Sequence, residues 1–190
     1  MPETLARPTG LRADAARNRA RLLKVARRHH AQTGQLPLNS IAAEAGVGIG
    51  TAYRHFPSQE SLVEALAMDA LDRLLDAVKH AIAANDPERA FRAMVTTAYE
   101  HLCDDTALTA LLAGGTFTCA DAAAVAGELF ADVDILLRRA RESGALRAEI
   151  DVDDLRRLLC GFSAAATAGP VPLGKDRERY VEVLLGGLRP

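Results

Sequence analysis

The stretch Gly46–Phe56, "GVGIGTAYRHF", puts three glycines within five residues and follows them with Thr51, Tyr53, Arg54 and His55. These residue types share one chemistry, contact with phosphate. Glycine lets backbone N–H groups come close to an anion, while hydroxyl, guanidinium and imidazole groups supply further donors. Two kinds of phosphate fit, that of a nucleotide cofactor and that of a nucleic-acid backbone. A dinucleotide loop needs a strand before its glycines, a long helix after them and an acid for the ribose. Here "LNSIAAEA" precedes and reads as helix, Pro57 stops the following segment after about two turns, and neither strand nor acid stands at the required place. Two short helices joined by a glycine-containing turn, a helix-turn-helix, fit the stretch better. Gly46 then supplies the positive φ of the turn. Gly48 and Gly50 thin the start of the second helix, and Thr51, Tyr53, Arg54 and His55 face a groove of DNA.

Other chemistry is sparse. His29 and His30 are adjacent, so on a helix they point to different faces and make a poor chelate. His30 is expected to pack and His29 to be solvated. The three cysteines, Cys103, Cys119 and Cys160, are far apart, lack metal spacing and form no disulfide framework. They read as small buried hydrophobes, with redox sensing by one of them as the lesser alternative. No nucleophile–base–orienter set is visible, so the chain is read as a non-enzyme that calls for no cofactor and no metal.

The elements that must position these residues are helices. Ala and Leu dominate, and β-branched runs of period two are missing. Residues 1–12 carry Pro2, Pro8 and Gly10 and read as a disordered tail. Helices are expected over about 14–32, 37–45, 48–56, 58–85, 86–102, 106–113, 120–143, 152–168 and 175–186, about nine in all. Pro37 suits a first turn, Ser58 and Asp151 are N-caps, and Gly34, Gly46 and Gly144 are left-handed stops. The net charge of −2 hides an asymmetry, because residues 1–60 carry nine Lys/Arg against four acids and the remainder is acidic. A basic head on an acidic body suits a polyanion partner. No apolar run approaches the ~18 residues of a membrane span, the N-terminus is no secretory signal, and a cytoplasmic home is expected.

The segment "RNRARLLKVARRHHAQTGQLPLNSIAAEAGVGIGTAYRHFPSQESLVEAL", roughly residues 17–66, resembles the DNA-binding domain of TetR-family transcriptional repressors. Within it "IAAEAGVGIGTAYRHFPSQESL" carries the family's order of helix, turn, helix, Phe-Pro and helix. Further along, "GALRAEIDVDDLRRLLCGF" (144–162) is similar to an actinobacterial-type subgroup. The resemblance implies an all-α, TetR-like fold. A disordered tail (1–12) precedes a helix-turn-helix head (13–60), joined by a fourth helix to an effector-binding and dimerisation body (61–190). It implies that Thr51 and Tyr53 bind phosphate, Tyr53 through its hydroxyl, and that Arg54 and His55 meet phosphate or a base edge. Gly50 keeps the helix close to the groove, and Phe56 is structural. Asn39, near the start of the second helix, touches the opposite backbone, and Arg12, Arg17 and Arg19 reach a neighbouring phosphate or the minor groove. Three positions depart from the family pattern. Gly48 stands where a Ser-type cap is common, Gln59 where Lys is common beside DNA, and His30 where Phe is common.

For the body the resemblance implies a ligand cavity. Phe91, Met94, Tyr99, His101, Phe117, Phe130 and Phe162 are the expected lining of a largely apolar effector, with Tyr99 and His101 as polar handles. Each is also an ordinary core residue by type. The small residues Gly161, Ala164, Ala165 and Ala168, with the apolar stripe Val181, Leu184, Leu185 and Leu188, are the expected interface of a homodimer, or else close packing within one chain. The function expected is an operator-binding repressor released from near-palindromic double-stranded DNA by a small molecule. The alternative is a DNA-binding regulator under protein or redox control.

Overall fold

The structure is a computed structural model and describes residues 9–168 and 176–190. The expected tail over 1–8, the Gly169-Pro170 stop and the Lys175 start lie outside the described residues. Thr9 to Arg12, expected in the tail, already belong to the first helix. Among the described residues there are nine helices and no strand: α1 (Thr9–Thr33), α2 (Leu38–Ala45), α3 (Ile49–His55), α4 (Gln59–Ile82), α5 (Pro87–Asp104), α6 (Thr106–Gly114), α7 (Ala120–Glu142), α8 (Val152–Thr167) and α9 (Asp176–Leu188). None is long and apolar enough to cross a membrane. The all-α architecture expected from the sequence is therefore the one observed.

The chain divides into two compact units, Met1–Leu66 and Ala67–Pro190, and the division falls inside α4. The first turns of α4 thus belong with the head. Ser58 opens them in a reciprocal pair with Ser61: the Ser61 N–H donates to Ser58 Oγ and the Ser58 N–H to Ser61 Oγ, both at 3.2 Å. Backbone hydrogen bonding at this helix start, then Ser58, holds the Glu60 carboxyl below its ordinary range.

In the head, α1 packs on α2 and α3 through the fully buried Leu22 and Ala26. The α2–α3 turn is a Schellman motif. Gly46 sits at φ 64°, its N–H donates to the Ala43 carbonyl at 3.2 Å, and the Val47 N–H donates to the Ala42 carbonyl at 2.9 Å. Val47 is buried beneath it, as an apolar residue after such a stop should be. His29, expected to be solvated, is half-buried with Nε2 2.9 Å from the Glu44 carboxylate, which Arg28 also pairs. The sequence pattern does not carry this tie because Glu44 lies on another helix.

In the second unit α5 is central, lying against α6, α7, α8 and α9. Its Asp86 cap accepts the Arg89 N–H at 3.0 Å, with Pro87 in the first turn. Asp105 accepts the Ala107 and Leu108 N–H groups, both at 3.0 Å, and starts α6. Asp151 and Asp154 form a capping box on α8. Val95, Leu108, Leu136, Leu137 and Ala140 make the dry core. Arginines satisfy several orphan carbonyls at helix ends. Arg139 of α7 donates to the Ile82 and Ala84 carbonyls at 2.6 Å each, which ends α4, and Lys79 of α4 meets Glu128 of α7 at 2.7 Å.

Candidate nucleic-acid interface and body cavity

The seven residues of α3 divide cleanly by exposure. Ala52 is fully buried, and the adjoining Phe56 is buried too. Ile49, Gly50, Tyr53 and Arg54 face solvent, at i, i+1, i+4 and i+5, so they form one outward face. Thr51 and His55 are half-buried at its margins, with the His55 ring tilted against Phe56. Gly48 caps the helix without a side-chain hydrogen bond. Neither Gly48 nor Gly50 has a positive φ, and a Cβ added at either would meet no atom within 4 Å. Nothing in the protein itself therefore demands glycine at these two places.

The remaining expected DNA contacts are exposed but unequal in their freedom. Tyr53 Oη donates to Asn39 Oδ1 at 3.3 Å, which brings the second and third helices' candidate residues together. Gln59 is exposed at the first residue of α4. Arg17 is paired with Asp14 one turn away, and the Arg19 guanidinium stacks 5.3 Å from the centre of the Phe56 ring. Both arginines are thus engaged within the head, which residue type alone does not reveal. Ile49 is the reverse case: 46% exposed on the outward face, it is an apolar candidate that the sequence reading passed over. Its signal was the four-residue spacing to Tyr53.

The second unit holds a small apolar cavity that is partly open to solvent. Five helices build it. Leu74 and Val78 come from α4, Met94, Ala98 and Leu102 from α5, Leu112 from α6, Leu129, Phe130 and Val133 from α7, and Val152, Leu155, Arg156, Leu159 and Cys160 from α8. Of the seven residues expected to line it, Met94 and Phe130 do. Phe91 is buried elsewhere in the core, and His101 and Phe117 are half-buried outside the lining. Phe162 stacks edge-on with Tyr180 of α9. Tyr99 is not a handle of this cavity. It is buried, its hydroxyl makes no hydrogen bond, and burial, with the Cys103 thiol beside it, pushes its phenol well up. The reason is angular: Met94, Ala98 and Leu102 recur every four residues, and Tyr99 is turned ~100° from Ala98.

Arg156, whose side chain also borders the wall, ties two helix ends together. Its side chain is 13% exposed, Nε donates to Asp153 Oδ1 at 3.2 Å, and Nη1 donates to the Leu112 carbonyl at the end of α6. Burial pushes the Cys103 and Cys160 thiols up, away from the thiolate that redox chemistry needs.

The expected dimer residues also separate. Gly161, Ala164 and Ala165 lie exposed along one stripe of α8, and Ala168, its C-cap, is exposed just beyond them. Val181, Leu184, Leu185 and Leu188 do not: they are buried within the chain, where α9 packs on α5 and α8. An apolar stripe shows that a helix packs, not against which partner. The outward side of α9 instead carries Val183, Gly186 and Gly187.

Comparison with known proteins gives concordant matches for both units. Residues 22–66 match the family model for bacterial regulatory proteins of the tetR family, and residues 86–190 match that for the C-terminal domain of SbtR-like transcriptional regulators. The HTH-type transcriptional repressor KstR2 of Rhodococcus jostii is 28% identical over 187 residues, covering 90% of each chain. A TetR transcription regulatory protein of Mycobacterium vanbaalenii is 36% identical over 95% of this chain and 99% of its own, with a TM-score of 0.47. The regulator SCO0520 of Streptomyces coelicolor is 29% identical over 90% and 98%, with a TM-score of 0.52. With its helix-turn-helix head and its helical body both matched, the chain belongs to the TetR family of DNA-binding transcriptional regulators, which are not enzymes.

Proposed function

We propose that the protein is a homodimeric repressor that holds a near-palindromic operator and releases it when a small, largely apolar molecule fills the body cavity. One observation carries the DNA-binding surface: the outward face of α3 keeps a glycine, Gly50, that neither packing nor backbone conformation requires. Glycine within a helix costs about 0.5–1 kcal/mol relative to alanine, so its use there points to something outside the chain that approaches closely. In this reading Thr51 and Tyr53 meet phosphates, Arg54 meets a phosphate or base edge, and Ile49 meets a thymine methyl. Asn39 and Gln59 touch flanking backbone. His55, Arg17 and Arg19 hold second rank, because each is partly engaged within the head.

Two heads would enter successive major grooves with centres about 34–36 Å apart. The exposed stripe of Gly161, Ala164 and Ala165, with Ala168 beyond it and Val183, Gly186 and Gly187 on α9, supports a second copy docking on α8 and α9. The cavity supports an effector, since an occupant would bear on Leu74 and Val78 of α4, the same helix that begins at Gln59 beside the DNA surface. Release requires the effector to bind one α4 position more tightly than another. Such a regulator works where the chromosome is, in the cytoplasm. Selection from random duplexes should enrich two inverted half-sites one helical turn apart. Enrichment of single, unpaired half-sites would contradict the dimer, and no enrichment would contradict operator recognition.

A further inference from the structure

The wall of the body cavity is hydrocarbon and sulfur almost throughout. Leu74, Val78, Met94, Ala98, Leu129 and Val133 stand in helix interiors, where backbone N–H and C=O groups are spent on the helix itself. We infer that the cavity takes a neutral hydrocarbon, a ring or short alkyl chain that carries no hydrogen-bonding atom. This rests on the reading of the cavity as the effector site and narrows the chemical class that enters it.

Three features support the class. Among the described residues no hydroxyl, amide, imidazole or carboxylate side chain lines the wall. The charged residue that borders it, Arg156, is spent at the end of α6. Its Nε donates to Asp153 Oδ1 at 3.2 Å, and its Nη1 donates to the Leu112 carbonyl and reaches the Ala113 carbonyl at 3.5 Å. The same bond takes up the carbonyl that Leu112, a lining residue, would otherwise offer at a helix end. Lastly, burial pushes the Cys160 thiol up, so this lining group stays neutral and behaves as a small hydrophobe with a weak donor. A carboxylate or ammonium entering here would leave water and meet no counter-ion, and a hydroxyl would give up its hydrogen bonds for none. A hydrocarbon of the same size loses nothing on entry and gains the burial of its whole surface.

The test is titration calorimetry of the full chain with toluene, phenol and benzoate at neutral pH, three probes of similar size, alongside anisotropy of a selected operator. Toluene should bind saturably. Phenol should bind about tenfold or more weakly, the effect of one buried hydroxyl left unpaired, and benzoate should not saturate over the same range. Ala98→Leu, which fills the cavity, should weaken toluene about tenfold or more. If that variant does not fold, Val133→Ile makes a smaller intrusion at the same wall and should weaken toluene in the same direction. The inference is overturned if phenol or benzoate binds as tightly as toluene, if toluene does not saturate, or if a folded filling variant leaves its affinity unchanged. Each of these failures leaves operator binding standing. Toluene binding that leaves the operator held would uphold the ligand class and remove the release step from the proposed function.

Discussion

The outward face of α3 and the wall of the body cavity are built in contrasting ways. The first is a contiguous run of chain in which Ile49, Gly50, Tyr53 and Arg54 are carried into solvent by one short helix. The second gathers side chains from five helices between Leu74 and Cys160, and its charged group sits at the join of two of them. The difference teaches where specificity can reside. A surface that reads DNA needs a fixed spacing of donors, which one helix supplies. A cavity needs a volume with few polar groups, and only the packing of several helices sets that.

Substitutions can break or sharpen this contrast. The largest effect is expected in the dry core of the body. Leu108→Ala should cost about 2–5 kcal/mol in denaturant unfolding, whereas Leu74→Ala, at a wall that already borders empty space, should cost clearly less. Equal losses would mean that the cavity is closed in solution. Next comes the turn that sets the head: Gly46→Ala forces a side chain into the left-handed region and should cost about 1–2 kcal/mol. Asp105→Ala removes two capping bonds from α6 and should cost about 1 kcal/mol, with DNA affinity unchanged. Tyr99→Phe should leave stability the same or raise it by up to about 1 kcal/mol, since the lost hydroxyl is buried without a partner. A loss there would show that the Cys103 contact matters. The smallest effect on stability is the sharpest on function: Gly50→Ala should stabilise the chain by about 0.5–1 kcal/mol and yet weaken operator binding.

Legibility in the sequence follows the same division. The helices, the Asp151 cap and the Gly46 turn are legible because each signal lies within a few residues. The α3 surface is legible for the same reason, apart from Ile49, whose apolar side chain does not by type point to DNA. The state of the basic residues was not readable. Arg19 on Phe56 and His29 at Glu44 depend on which helices meet. In the body, aromatic bulk proved a poor guide. Met94 and Phe130 reach the cavity, while Tyr99, one residue past the lining Ala98, turns into the core. Arg156 looks like a solvated member of an acidic-basic helix start until α6 places its carbonyl end against it. For α9 the stripe Val181, Leu184, Leu185 and Leu188 predicts a packed face, and only the fold assigns that face to the chain itself.

The account stands most directly on the face of α3. Fluorescence anisotropy of a selected operator should therefore be compared between the wild-type chain and the double variant Tyr53→Phe, Arg54→Ala, with folding checked by circular dichroism. Losing one hydroxyl contact and one guanidinium contact should weaken binding about 100-fold, with a shallower dependence on salt. A folded double variant that binds within about twofold of wild type, with an unchanged salt slope, would contradict the placement of DNA on this helix.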